Sequence, residues 1–276
     1  MMSSESLSVF LDIATEAALA AGAIIQESWG KLETISEKGR SGDLVTEVDT
    51  KSEQIIVEII QRHFPTHSLL AEESGAIDKG SQEYLWAIDP LDGTTNYAHG
   101  YPIAAVSIGL LIAGIPRVGV VYNPFRNELF RAATGLGATC NRRPIKVSNI
   151  AKLEQSLLVT GFAYDRRETQ DNNYREFCYL THITQGVRRS GSAALDLTDV
   201  AAGRIDGYWE RGIKPWDITA GIVILEEAGG KITAYDQTPL NMVSGRILAT
   251  NGKIHDSLSQ ALKETPPWGE WDNQHK

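Results

Sequence analysis

Apolar residues open the chain at helical spacing: Leu7, Phe10, Leu11, Ala14, Ala17, Ala18, Ala21, Ile24 and Ile25 share one face. That period predicts a long amphipathic helix ending near Gly30. Leu32 to Ser36 reads as a short strand, followed by the polar loop EKGRSGD. Ile55, Ile56, Ile59, Ile60 and Phe64 predict a second helix from Asp49 to Phe64, stopped by Pro65. The texture then changes to short β-branched or apolar runs at Ser68–Ala71, Tyr84–Ile88, Ile103–Ile112, Pro116–Tyr122 and Glu128–Ala133. Gly, Pro and Asn punctuate them, with NPFRNE as a hairpin turn, so this block is expected to be a mainly antiparallel sheet.

The second half alternates. Strands are predicted at Ser156–Thr160, Gly186–Arg189, Gly207–Glu210, Lys231–Ala234 and Ile247–Ala249. Helices fall between them at Asn172–Thr181, Ser192–Ala202 and Trp216–Ala228, the last two closed by Gly203 and Gly229-Gly230. Asn251 is read as the cap of a final helix, Lys253–Lys263, and the tail TPPWGEWDNQHK as loose. There is no repeat or low-complexity linker. A soft boundary near Ser148–Glu154 separates an α+β region, 1–150, from an α/β region, 151–276, which are expected to share one site.

Composition narrows the function. The 276 residues carry 26 Lys plus Arg against 35 Asp plus Glu, a formal charge of −9. That balance argues against nucleic-acid partners and anionic membranes. It does not exclude an anionic substrate, because bound cations can invert the sign of a site. Cys140 and Cys178 form no CxxC motif and suggest free thiols in a reducing cytosol rather than disulfides or structural zinc. The N-terminus lacks a basic segment before its apolar run, so it does not read as a signal peptide. The most apolar stretch is read as Pro102 to Pro116, too short to span a bilayer. A cytoplasmic chain is expected.

Acids then stand out at the ends of apolar runs. Trp86-Ala87-Ile88 leads into Asp89-Pro90-Leu91-Asp92-Gly93-Thr94-Thr95-Asn96. A turn there could aim two carboxylates and the Leu91 carbonyl at one hard cation, while Gly93 lets backbone approach a ligand. Leu70-Ala71-Glu72-Glu73-Ser74-Gly75 repeats the theme, as do Gly42-Asp43-Leu44-Val45-Thr46-Glu47-Val48-Asp49 and Pro215-Trp216-Asp217. Taken singly, each also fits a turn, a solvated pair or a helix cap. Arg189-Ser190-Gly191-Ser192-Ala193-Ala194 places small residues at a helix start, where free N–H groups suit a phosphate or hydroxyl. The six His residues show no ligand-like spacing.

Together, AEESG, DPLDGTTN, DLVTEVD, GSAALDLTDVAAGRIDGYWE, WDITAG and EEAGG resemble the inositol monophosphatase family of Mg²⁺-dependent, lithium-sensitive phosphatases. The resemblance spans roughly Leu7 to Leu262. It implies a layered α/β/α/β/α sandwich of the inositol monophosphatase and fructose-1,6-bisphosphatase type, commonly a homodimer. It implies metal binding by Glu72, Asp89, the Leu91 carbonyl, Asp92 and Asp217, for two or three Mg²⁺ with Mn²⁺ as a substitute. Asp89 would bridge two ions. Gly93 and Thr94 resemble the phosphate cradle, with Lys38 on the phosphate side. Glu72, Thr94 and Asp49 would orient the attacking water. Glu210 would grip a sugar hydroxyl and Ala193 line the substrate, with Asp92 and Asp217 also near it. The implied substrate is a small phosphate monoester, foremost inositol 1-phosphate. Histidinol phosphate, fructose 1,6-bisphosphate, galactose 1-phosphate and NADP are the alternatives within the family, and a regulatory binding protein is the alternative outside catalysis. Gly161–Gly186 is expected to shape the pocket mouth, with Arg166-Arg167 as candidates for a second phosphate.

Overall fold

The computed structural model describes residues 4–40, 42–80, 83–242 and 244–267. The first apolar period becomes α1 (Ser4–Glu27) and the second α2 (Glu47–His63). Between them β1 (Ile35–Glu37) and β2 (Leu44–Thr46) pair antiparallel. The strand expected from Leu32 is therefore displaced, and its partner was invisible because three residues show no period.

An eight-stranded sheet follows, built from β3 (Ser68–Ala71), β4 (Gly75–Ile77), β5 (Tyr84–Asp92), β6 (Ala105–Ile112), β7 (Ile115–Asn123), β8 (Glu128–Ala133), β9 (Gly137–Cys140) and β10 (Arg143–Pro144). A short helix, α3 (Thr94–Ala98), leaves the end of β5. The order is β10-β9-β8-β7-β6-β5-β3-β4, antiparallel throughout except for the β3–β5 pair.

The second half forms β11 (Leu157–Thr160), α4 (Tyr174–Ile183), β12 (Gly186–Arg188), α5 (Ala193–Ala201), β13 (Gly207–Arg211), α6 (Pro215–Glu227), β14 (Lys231–Thr233), β15 (Arg246–Thr250) and α7 (His255–Lys263). Its five strands run in the order β12-β11-β13-β15-β14. The last helix starts later than expected: Asn251 Oδ1 accepts from the N–H groups of Lys253 (3.0 Å) and Ile254 (3.2 Å), making a turn before the helix rather than its cap. Most of the tail expected to be loose, 268–276, lies outside the described residues.

Period-two alternation sorts the strands into layers. Val106, Ile108 and Leu110 of β6, with Val118 and Val120 of β7, join α1 and α2 in one core. The opposite face of the same sheet packs on α5 and α6, which also cover Val159, Tyr208, Ile247 and Ala249 of the small sheet. Leu158, Trp209 and Leu248 face the other way, onto Leu180 of α4 and Leu258 of α7. The result is the expected helix–sheet–helix–sheet–helix sandwich.

Two glycines set the distance between the layers. Gly109 and Gly119 are register partners beneath α6. A Cβ on Gly119 would lie 2.2 Å from the Ala220 carbonyl oxygen, and one on Gly109 2.4 Å from Thr219 Cγ2. Only bare backbone admits the helix this closely. By length and apolarity, Leu7–Glu27 of α1 could cross a membrane, with a mean hydropathy of 1.7. This corrects the choice of Pro102–Pro116 as the most apolar stretch. Ala14, Ala17, Ala18, Ala21 and Ile25 are nevertheless fully buried in the core, as in the central helix of a globular protein.

Candidate active site

The paired acids lie on a distorted strand end, not in the turn that the sequence suggested. β5 runs through Asp92, and its pairing with β6 slips between Asp89↔Ser107 and Asp92↔Ala105, leaving one extra residue on β5. Pro90, which has no N–H for the ladder, sits in that bulge. Residues three apart on a regular strand point to opposite faces; the bulge restores the match, and Asp89 and Asp92 both line one cavity of about 550 Å³. The Leu91 N–H donates to Asp89 Oδ1 at 2.9 Å. Gly93 then turns the chain at φ 104°, where a Cβ would also meet the Ile103 carbonyl oxygen at 2.8 Å.

The parallel neighbour delivers Glu72. Its N–H donates to the Ile88 carbonyl at 3.1 Å, extending the β3–β5 ladder by one step. Lys38, beside the β1–β2 hairpin, reaches Glu72 Oε1 at 2.9 Å and Glu73 Oε1 at 2.5 Å. Burial works against the lysine's charge, but the two carboxylates outweigh it and hold the ammonium above its ordinary value. Burial pushes Glu73 up to about 7.

Asp49 is not the cap of α2. Thr46 holds that position, and Asp49 stands three residues later, completing a capping box. Its Oδ2 accepts from Thr46 N–H (2.9 Å) and Thr46 Oγ1 (2.5 Å), and its Oδ1 from Thr94 Oγ1 (2.9 Å). Asp217 occupies the same position in α6, where its Oδ2 accepts the Lys214 N–H at 2.8 Å. Its location across the sheets follows from register: Ser107, the cross-strand partner of Asp89, donates its hydroxyl to the carbonyl of Trp216 at 3.1 Å.

The remaining groups close the cavity from the second half. Asp92 Oδ2 accepts from Ser192 Oγ and from Ala194 N–H at the start of α5, both at 2.7 Å. Glu210 Oε2 accepts from Tyr208 OH at 2.7 Å. Gly161 makes room for that carboxylate, since a Cβ there would lie 2.2 Å from its oxygens. Burial lifts Glu210 to about 7. Ala193 lines the wall.

The electrostatics follow from this crowding. Burial, then the charges of Glu72, Asp92 and Asp217, raise Asp89 well above the usual carboxylate range. Asp217 is raised likewise, by burial and by Glu72 and Asp92. Asp92 is pushed up to about 6 by burial, against the lowering donors Ser192 and Ala194. Among the described residues no three His, Cys, Asp or Glu already stand close enough to hold an ion. The acids surround a space rather than close a cage, and they repel one another across it. An oxygen-only donor set under such mutual repulsion fits a hard divalent cation such as Mg²⁺ or Mn²⁺.

The cavity thus brings together Lys38, Glu72, Asp89, Leu91, Asp92, Gly93, Thr94, Ala193, Glu210 and Asp217. Asp49 stands behind them, touching the cavity through Thr94. Of the loop expected at the mouth, Phe162, Ala163, Tyr164 and Arg166 line the cavity, and Arg167 does not. Asp43, Arg189 and Asp196 also stand in the wall; each lies in a segment or motif noted in the sequence, but none has a role of its own there. Asp196 left a trace, as an acid flanked by Leu195 and Leu197 in an apolar helix.

The chain as a whole is similar to proteins of one family. The family model described as "Inositol monophosphatase family" matches residues 6–266. The chain is 68% identical over 268 residues to the inositol-1-monophosphatase of Synechocystis sp., covering 97% of this chain and 93% of that protein. It is 44% identical over 262 residues to the "Fructose-1,6-bisphosphatase/inositol-1-monophosphatase" of Aquifex aeolicus, covering 94% and 97%. The solved structure of an inositol monophosphatase from Anabaena superposes with a TM-score of 0.89 at 66% identity, covering 96% of this chain and all of that one (100%).

Proposed function

The chain belongs to the inositol monophosphatase family and is a phosphate-monoester hydrolase; from that premise we propose that it is Mg²⁺-dependent and that its substrate is inositol 1-phosphate. The observation that supports the metal dependence is the gathering of Glu72, Asp89, Asp92 and Asp217 around one cavity, where burial and the neighbouring negative charges, that of Glu72 foremost, raise Asp89, Asp92 and Asp217. Glu72, Asp89, the Leu91 carbonyl, Asp92 and Asp217 are the groups that would hold the ions. Bound there, Mg²⁺ supplies the positive charge that draws in the phosphoryl oxygens, acidifies water and steadies the leaving alkoxide.

The chain's own residues do the positioning. Asp49 accepts two hydrogen bonds from Thr46 and one from Thr94. With its proton spent on Asp49, the Thr94 hydroxyl presents lone pairs to the cavity and accepts a hydrogen bond from the attacking water, which Glu72 orients from the other side. The backbone at Gly93 and Thr94 receives the phosphate, with Lys38 flanking it. Glu210 accepts from a hydroxyl of the polyol, and Ala193 leaves space for its ring. Water adds to phosphorus, the phosphorus–oxygen ester bond breaks, and one proton of the water ends on the departing oxygen, giving the alcohol and inorganic phosphate. Lithium sensitivity and a homodimer complete this reading and rest on the family resemblance; a cytosolic setting rests on the two cysteines without a CxxC motif and on an N-terminus unlike a signal peptide.

The test is metal-dependent phosphate release by wild-type protein and Asp89→Asn, over a panel of inositol 1-phosphate, histidinol phosphate, galactose 1-phosphate, NADP and fructose 1,6-bisphosphate. Near-wild-type turnover by Asp89→Asn would remove Asp89 from the site. A second reading has its own support: Arg166, Arg189 and Lys214 line the same cavity, and the Aquifex aeolicus relative is also named a fructose-1,6-bisphosphatase. A higher kcat/KM for the bisphosphate than for inositol 1-phosphate would favour it.

A further inference from the structure

The catalytic acids and the substrate loop come from different sheets, so something must hold the two in register. Asn96, two residues beyond Thr94 on α3, spans the gap. Its Nδ2 donates to the Ile103 carbonyl at 2.9 Å and to the Ser190 carbonyl at 2.8 Å. The first contact lies within the half that carries Asp89 and Asp92; the second crosses to the loop carrying Arg189 and Ser192. Two converging carbonyls require two N–H donors on one atom. A primary amide provides them, a hydroxyl provides one, and a carboxylate none.

The loop is built around that bond. The Ser190 hydroxyl is held by the buried carboxylate of Asp196. Gly191 follows at φ +89°, and a Cβ there would lie 2.8 Å from Arg189 Nη1 and 2.9 Å from Asn96 Nδ2. Ser192 then reaches Asp92 at 2.7 Å. Asn96 and Asp196 thus fix Ser190 from two sides, and Asp92 fixes Ser192 two residues on.

We propose that Asn96 is a positioning residue: through Ser190 it aligns the 189–194 segment, and with it Arg189, Ser192 and Ala193, against the acid-bearing end of β5, and so sets preference for a polyol phosphate over a simpler ester. The inference rests on the phosphatase reading. Its test compares kcat/KM for inositol 1-phosphate with that for p-nitrophenyl phosphate, alongside amide hydrogen exchange across 189–194. Asn96→Asp keeps the shape but turns a carboxylate toward two carbonyls. The expected result is a drop of about tenfold in the ratio of the two specificity constants, mainly through KM for inositol 1-phosphate. Exchange at 190–194 should quicken by a similar factor of about ten. Asn96→Ser, whose hydroxyl is too short to reach the two carbonyls but brings no repelling charge, should shift both readouts in the same direction by roughly threefold. Unchanged ratio and unchanged protection in either folded variant overturn the proposal. A uniform fall in kcat on both esters, with KM and protection unchanged, marks a merely structural residue and overturns it as well. Wild-type protein inactive on both esters would sink the phosphatase reading, while the exchange experiment would still decide the Asn96 contact.

Discussion

The first turns of α2 and α6 present the same local device in opposite states. Each has an aspartate at its third position, Asp49 or Asp217, whose Oδ2 accepts the N–H of the residue before the helix. Around Asp49 the other partners are donors: the hydroxyls of Thr46 and Thr94. Around Asp217 the charges that face it are Glu72, Asp92 and Glu210. Burial raises both carboxyls, but at Asp49 the hydrogen bonds from Thr46 and Thr94 oppose that rise more than Glu72 adds to it, whereas at Asp217 Glu72 and Asp92 add to it more than the Lys214 N–H opposes. One aspartate is surrounded by donors from the protein; the other faces further acids, and under the proposed function it would help to hold a cation. A helix-capping motif therefore tells nothing of function until its second oxygen is placed.

Asp217→Asn is the largest test of this contrast. It should lower kcat/KM by about a thousandfold or more while leaving the Tm of metal-free protein equal to wild type or a few degrees higher, since like-charge repulsion is relieved. Mg²⁺ should raise the Tm of wild type, by preferential binding to the folded state, and raise that of the variant much less. A Tm loss in metal-free Asp217→Asn would show that Asp217 is a finished cap after all, and the contrast would break.

Asp49→Asn should behave in the opposite manner. The amide keeps one acceptor oxygen, best used on the two donors of Thr46, and turns its NH2 toward the Thr94 hydroxyl, which should cost about 1–2 kcal/mol, read by urea titration. It should also reduce kcat by roughly 10–100-fold, because the Thr94 hydroxyl loses its acceptor. Thr94→Val should reproduce the kinetic loss with a smaller effect on stability.

Gly119→Ala probes how Asp217 is brought into place. Its Cβ would run into the Ala220 carbonyl, so α6 must retreat from the sheet. We expect a stability loss of about 2 kcal/mol and a several-fold fall in activity; wild-type values for both would mean that α6 is not set by this contact. The smallest effect belongs to Glu47, at the first position of α2. The Glu33 N–H, together with the N–H and hydroxyl of Thr34, draws its carboxyl down to about 2. A depressed folded value means stabilisation present above the unfolded value near 4.5 and lost as pH falls toward 2. For this solvent-screened group, Glu47→Gln should cost under about 1 kcal/mol at pH 7 and nothing near pH 2, with activity unchanged. A constant difference across that range would exclude a charge effect.

Much of this was legible in the chain. The 3.6-residue period of α1 and α2, the glycine stops after α5 and α6, and the apolar runs of the large sheet are local signals. The layered architecture followed from their order and from the motifs. The short elements β2, β4, β9, β10 and α3 were not legible, because so few residues show no period and their pairing energy is supplied by neighbours. Asp43, Tyr164, Arg189 and Asp196 lie in segments the sequence associated with the site, but their individual places in the wall were not legible, because the direction of each side chain is set by packing between the two halves.

By itself, the sequence determined which acids end strands or begin helices, since capping, turn and strand preferences act within a few residues. Only the tertiary structure decided which of those acids face one another. The β5 bulge turns Asp89 and Asp92 to one side, and Gly109 and Gly119 let α6 approach closely enough to set Asp217 beside them. A carboxylate's local partners are written in its own segment. Whether its free oxygen meets a hydroxyl or another charge depends on packing between distant layers, and there Coulomb repulsion in a buried space makes the difference.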